Sequence, residues 1–340
     1  MRNLTREEVR NVIEGKGAAF RVPLAYDIWI GNNIFGGSEE KREKWLAQYP
    51  RDIATFGLML PDLVNTPADD PDYRWTGVDM QLDEKKGLDN RVLVEDWESE
   101  EADIFFEKFP SAEYPGMIPE HEDDGQYTLG MFWFCFFERL WSIRGMENAL
   151  TDFYLYPEYI HKLFQKLTDF YMRMMERACE KNHVDGFFVS DDIGAQQAPF
   201  FSLEIFREFF KPYYKQLFDK AHELGAHFWL HTCGNIELFM PEFIEIGLDV
   251  IHPIQKYTME ERRIAEKYGD KICIWAGFDV QRTIPFGTVA DVRQEVRFLI
   301  DTYHRKSGRF MLTMGNGSTS DWKLDCLYAL MEESINYRPD

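Results

Sequence analysis

From residue 127 onward the sequence repeats one theme: a short apolar run, a polar or glycine-bearing tip, then an amphipathic helical stretch. "YTLGMFWFCF" (127–136) leads to a helix opening at Pro157 and leaving at Asn182, since proline suits a first helical turn. "GFFVS" (186–190) ends in Asp191-Asp192, ahead of a helix closed by Gly225 that Pro212 is expected to kink or divide. "HFWLH" (227–231) ends in Thr-Cys-Gly-Asn. "DVIHPI" (249–254) precedes a helix whose expected capping box is Thr258 with Glu261. "ICIWAG" (272–277) runs into Asp279 and a helix over about 288–306, and "RFMLTMG" (309–315) precedes a last helix over about 322–336.

Strands alternating with helices build right-handed βαβ units and a parallel sheet. With "RVPLAYDIW" (21–29) as a first strand and the region around "TGVDMQL" (76–82) as another, eight strands are readable. The expected architecture is an α/β fold, one (β/α)8 TIM barrel over residues 1–340, with its chemistry at the C-terminal strand ends. A doubly wound open sheet is the alternative, but no GxGxxG follows the first strand. Asp27, Asp192, His231, Cys233, His252, Gln255, Asp279 and Asn316 all fall at or just past expected strand ends.

Residues 60–125 interrupt the rhythm with 20 Asp and Glu against 5 Lys and Arg. They are expected to form an acidic insertion solvated over the barrel mouth, or a lid and docking surface for a partner. The net charge of −21 argues against nucleic acid and against an anionic membrane surface. The longest apolar run, Met131–Phe137, is far shorter than the roughly 20 residues of a membrane span. The N-terminal "MRNLTREEVRNVIEG" is charged and helical in pattern, unlike a signal-peptide core. Five scattered cysteines without a CxxC suit a reducing, cytoplasmic setting. Self-association as a homodimer is left open.

Residues i and i+2 of a strand share a face, so His231 and Cys233 can approach one ion together while Thr232 turns away. Zinc accepts imidazole nitrogen and thiolate at about 2.0–2.3 Å. The competing reading is a satisfied core histidine beside a buried thiol. Asp191-Asp192 follow an apolar strand that would desolvate whichever carboxylate points inward, raising its pKa for acid/base work. Either could instead bond backbone amides. His252 divides between packing and the site, Asp279 follows a glycine that permits a sharp turn, and Trp133 lies in a run that is mostly packing with one or two cavity-lining rings. No nucleophile elbow, Ser-His-Asp order or P-loop is present.

The segments "DGFFVSDDIGAQQ", "FSLEIFREFFKPYYKQLFDKAHELGAHFWLHTCGNI", "FIEIGLDVIHPIQ", "YGDKICIWAGFDVQRTIPFGT" and "LTMGNGSTSD" together resemble the uroporphyrinogen decarboxylase superfamily. The resemblance covers about two-thirds of the chain and implies a (β/α)8 barrel. His231-Thr-Cys233-Gly234 resembles the H-x-C-G signature of its zinc-dependent corrinoid methyltransferase branch, whereas the arginine-rich "RQAGR" segment of the decarboxylases is replaced by "RVPLAYDIWIGNN". The branch implies Zn2+ on His231 and Cys233, catalytic roles for Asp192 and His252, and substrate contacts from Asp191, Gln255, Asp279, Trp133 and Asp27. Relatives acting on a thiol carry a further cysteine near the end of the eighth strand, where this chain has "LTMGNGSTSD". The third ligand is then a carboxylate, His252 or water. The expected function is methyl transfer from an O-methyl donor, a methoxylated aromatic by its aromatic content and altered ligand set, to Co(I) of a corrinoid (cobalamin) on a partner protein. The alternatives are transfer from methyl-corrinoid to a thiol, a cofactor-free decarboxylase, and a partner-binding barrel without chemistry.

Overall fold

The computed structural model describes residues 1–76 and 87–339. Seven parallel strands form one sheet in sequence order: β1 (Ile53–Gly57), β2 (Tyr127–Phe132), β3 (Gly186–Ser190), β4 (His227–His231), β5 (Val250–His252), β6 (Cys273–Phe278) and β7 (Phe310–Met314). Almost every strand residue is buried, the pattern of a parallel sheet covered on both faces. The "RVPLAYDIW" segment is not a continuous strand. It lies along β7 through one parallel bridge, Leu24 to Leu312, and through Thr313 Oγ1 donating to the Ala25 carbonyl at 2.6 Å. Towards β1 a side chain stands in for main chain: the Asp52 carboxylate accepts from Leu24 N–H at 2.8 Å, while its fully buried partner Arg21 holds both of its oxygens. The expected strand around 76–82 falls, beyond Thr76, outside the described residues.

Registered neighbours share a face, so one interior is lined by Tyr127, Phe188, Trp229, His231, His252 and Trp275. Their rings interlock: Trp229 and Trp275 meet edge-on at 5.2 Å and Phe188 and Trp275 at 5.3 Å. Such rings bury about 150–250 Å² each and leave a packed interior below the strand tips.

Several helices differ from expectation. Between β2 and the helix Pro157–Lys181 the chain adds two helices, Phe137–Arg144 and Met146–Leu155. The helix after β5 is Glu261–Tyr268, capped by Glu260 rather than Thr258, because the Thr258 hydroxyl is drawn to the Gln255 and Gly234 carbonyls. Pro212 divides its helix as its missing N–H requires: a π-type turn, Phe206–Phe210, gives way to a fresh helix, Lys211–Glu223. A Thr288–Asp291 capping box opens the helix Val289–Tyr303. In the acidic stretch, Trp75, Trp97, Phe105, Phe106 and Met117 are buried, so this segment has an apolar underside as well as its charges. Among the described residues no helix is long and apolar enough to cross a membrane.

Candidate metal centre at the strand ends

His231 and His252 end β4 and β5 as register partners. They are 5% and 1% exposed, and their Nδ1 atoms lie 2.7 Å apart. His252 Nε2 is 2.8 Å from the Met314 carbonyl, which can only accept. His252 therefore carries its proton on Nε2 and presents Nδ1 as an acceptor, and His231 supplies the shared proton from its own Nδ1. What remains is the His231 Nε2 lone pair, aimed at the tip of its strand. Burial holds both histidines below their usual pKa, His252 well below with His231 as a further cause, so the neutral forms this chain of bonds needs are the favoured ones. Trp29 lies over the pair, stacked on His252 at 4.8 Å and 5.5 Å from His231.

Beyond β4 the chain turns through Gly234 at φ +83°, where an added Cβ would stand 2.2 Å from the Gly194 carbonyl oxygen. That close approach brings the loop after β3 against the Thr-Cys-Gly turn. Cys233 N–H donates to Asp192 Oδ1 at 2.6 Å, and Gly234 N–H to Gln255 Oε1 at 2.7 Å. In consequence Cys233 Sγ and Asp192 Oδ1 lie 3.4 and 3.6 Å from His231 Nε2. One ligand atom from each of Asp192, His231 and Cys233 lies within 4.8 Å of the others. Tetrahedral zinc with these bond lengths spaces its ligands by about 3.4–3.6 Å, so the donor set fits the ion. Burial, then the Asp192 charge, pushes the Cys233 thiol far up, and a bound cation would reverse that preference. Asn316, just past β7, approaches the same sulfur with Nδ2 at 3.6 Å.

Two further carboxyls sit behind this cluster. Asp191 is fully buried and accepts from Phe136 N–H, Glu138 N–H and the Tyr214 hydroxyl. Those bonds tie β3 to the start of helix 137–144, and burial raises its carboxyl to about 6. The structure thus engages Asp191 within the protein instead of turning it to a ligand. Glu138 accepts from Ser190 Oγ at 2.6 Å, and burial, then Asp192 and Asp191, pushes it up to about 8.

The other expected residues divide. Gln255 and Asp279 share with Cys233 and Asn316 the wall of a small cavity of about 60 Å³. Asp279 is occupied there, accepting from the Gln281, Arg282 and Thr283 amides and from the Thr283 and Tyr257 hydroxyls. Trp133, 41% exposed, meets Trp29 at 6.2 Å. Asp27 lies apart from the cluster, paired with Arg51 at 3.1 Å on the wall of a separate 660 Å³ cavity. Sequence reasoning missed Trp29, Ser190, Glu138 and Arg139 as neighbours of the site. The signal was a charged pair, Glu138-Arg139, directly after seven apolar residues.

The described residues thus build a seven-stranded parallel α/β sheet with a metal-competent His, Cys and carboxylate at its strand ends. The chain belongs to the uroporphyrinogen decarboxylase (URO-D) family, whose model matches residues 121–337. No curated protein matches it. Among solved structures it is similar to a methyltransferase from Methanosarcina mazei, with a TM-score of 0.50 and 14% identity over 62% of this chain and 58% of that one. The chain thus spans less than two-thirds of that neighbour, and the likeness concerns the fold. A psychrophilic glycoside hydrolase family 10 endo-beta-1,4-xylanase aligns over 89% of this chain and 95% of its own, at 10% identity and a TM-score of 0.46.

Proposed function

We propose that the protein is a zinc-dependent methyltransferase, moving a methyl group from an O-methyl donor, a methoxylated aromatic, to the Co(I) of a corrinoid protein. The observation that carries this reading is the His231–Cys233–Asp192 donor set with one imidazole lone pair fixed by His252. These three side chains would hold the metal, with Asp192 serving as a ligand in place of free acid/base work. Zinc there would supply a Lewis acid that withdraws charge from the donor oxygen. In the overall step the carbon–oxygen bond breaks with its electron pair left on oxygen, which takes up a proton. The pair for the new carbon–cobalt bond comes from Co(I), which is oxidised to Co(III). Trp29 and Trp133 form an aromatic wall beside the cluster suited to a flat donor. In this reading the 21–29 segment stands in the place of the first strand of an eightfold barrel, the acidic insertion serves as a lid, and the enzyme works in the cytoplasm.

The stretch "LTMGNGSTSD" at the tip of β7 brings Asn316 and no cysteine to Cys233, which weighs against a thiol acceptor. Arg21, committed to Asp52 with no exposed side-chain surface, weighs against the decarboxylase alternative, which needs free arginines for an acidic substrate. Metal analysis tests the reading first: about one zinc per chain is expected, lost in His231→Ala. Methyl-cobalt absorbance should then appear when a methoxylated aromatic, the protein and a reduced corrinoid protein are mixed. Metal-free protein with full activity would overturn it.

A further inference from the structure

At the opposite end of the strands from the metal centre lies a cavity of about 250 Å³. It is smaller than the roughly 300–1,000 Å³ that drug-sized ligands occupy. Phe310 on its wall opens β7, and Val22 and Pro23 precede the Leu24 bridge. With Val12 these residues give the cavity a buried apolar floor. The rim is of one sign. Apart from the Tyr337 phenol, every titratable side chain on the wall is basic: Arg21, His304, Arg305, Lys306 and Arg338. No carboxylate lines it, in a chain whose net charge is −21.

These groups differ in how far they are committed. Arg21 is paired with Asp52. Burial, with Arg305 as a further cause, holds His304 below its usual pKa, which favours a neutral ring. Arg305 places Nη1 and Nη2 on the Thr302, His304 and Ala265 carbonyls. Lys306 and Arg338 are exposed and pair with no carboxylate among the described residues. Arg338 gives Nη1 to the Ile335 and Tyr337 carbonyls and keeps Nε and Nη2 without an acceptor among the described residues. Burial, then the Arg21 charge, draws its pKa down, and no carboxylate opposes them. The same wall carries main-chain donors. Ala18 N–H reaches the Lys306 carbonyl at 3.0 Å, but the Ala19, Phe20 and Arg21 amides have no acceptor among the described residues. Cations beside free amide donors select a negatively charged oxygen, to which hydrogen bonds are about twice as strong as to a neutral one. The floor selects an apolar body.

We propose that this cavity binds a small organic anion, a carboxylate or a phosphate monoester. Its charged head would sit on Lys306 and Arg338 and its short apolar body on Val12, Val22 and Phe310. The occupant would bridge the 18–23 segment, the 304–308 turn and residues 337–339, so binding should stabilise the fold. This site is separate from the metal centre and stands or falls independently of the methyl-transfer reading.

Calorimetry on the full chain at low ionic strength, where screening is weakest, compares pentanoate, butyl phosphate and the neutral 1-pentanol. One anion per chain is expected to bind about tenfold or more tightly than the alcohol, and to raise the melting temperature. Preference for pentanoate assigns the ligand to carboxylic acids, and preference for butyl phosphate assigns it to phosphate monoesters. Arg338→Gln with Lys306→Gln removes two exposed cations from the rim and should weaken the preferred anion about tenfold or more. Lys41→Gln with Lys44→Gln, the same loss of charge on the helix Glu39–Leu46, should leave it within about twofold. Alcohol binding as tight as that of either anion would overturn the proposal, as would equal losses in the two double variants. Chelator-treated protein should bind the anion unchanged. Loss of binding along with the metal would place the anion at the metal centre and equally overturn the proposal.

Discussion

His231 and His252 face each other through their Nδ1 atoms at 2.7 Å, and only one proton fits between them. Because the Met314 carbonyl fixes the far side of His252, the orientation of the whole chain is set from β7. Partners of this kind orient metal-ligating histidines and raise their basicity. His252→Phe should therefore weaken zinc binding about 10–100-fold without touching a ligand. His252→Gln, which can accept from His231 and donate to Met314, should recover most of it. Competition against a chelator measures both, and equal affinities for Phe and Gln variants would refute the relay.

Asn316 marks a position where one substitution tests the site's geometry. Its Nδ2 is 3.6 Å from Cys233 Sγ, close to the spacing of two ligands on one ion. Asn316→Cys should retain zinc roughly tenfold longer in chelator, since a second thiolate suits this ion. An unchanged loss rate would mean that the β7 tip does not face the metal.

The Arg21–Asp52 pair has no exposed side-chain surface, and Asp52 also accepts from the Leu4 and Leu24 amides. Removing one partner leaves a buried charge alone. Asp52→Ala should lower unfolding free energy by about 3–5 kcal/mol, read as a shift in the urea midpoint. A shift under about 1 kcal/mol would show that the 22–26 segment is held by other contacts.

Glu138 gives a pH dependence of definite sign. Its carboxyl is raised from 4.5 to about 8 by burial and by Asp192 and Asp191, so the folded state binds the proton more tightly than the unfolded one. The contribution is fully present below about pH 4.5 and is lost as pH rises through about 8. In chelator-treated protein, Glu138→Gln should gain stability relative to wild type between pH 5 and pH 9. Parallel pH profiles of melting temperature would refute this.

The alternation of strand and helix was readable because each strand is a short apolar run with its own tip, and His231-Thr-Cys233 was readable because a strand repeats every two residues. Where signals coincide, reading by pattern loses its grip. "MFWFCFF" crosses from β2 into helix 137–144 with no polar residue, since both are buried, so two helices and the Glu138-Arg139 pair went unseen. Asp191 and Asp192 are adjacent and point apart, and only the Tyr214 hydroxyl and the helix amides decide which is engaged inside. The choice of Glu260 over Thr258 as cap turned on where the Thr258 hydroxyl goes, to the Gln255 carbonyl at 2.7 Å and the Gly234 carbonyl at 3.3 Å, the latter 24 residues away in sequence. Asp27 sits near a strand end by sequence, yet its partner Arg51 holds it on a different cavity.

Successive side chains of a helix diverge by about 100°, and the helix Phe137–Arg144 uses that divergence to touch two places at once. Its Glu138 rests on Ser190 behind the metal cluster, while Arg139 closes a neighbouring cavity of about 530 Å³ walled also by Trp133 and Trp141. Any occupant of the cavity that shifted this helix would disturb the Glu138–Ser190 bond behind the cluster and so would alter the cluster's affinity for an ion. Thermodynamic reciprocity then requires the ion to alter the occupant's affinity by the same factor. The Glu138–Arg139 turn thus links the wall of this cavity to the strand end that carries the cluster.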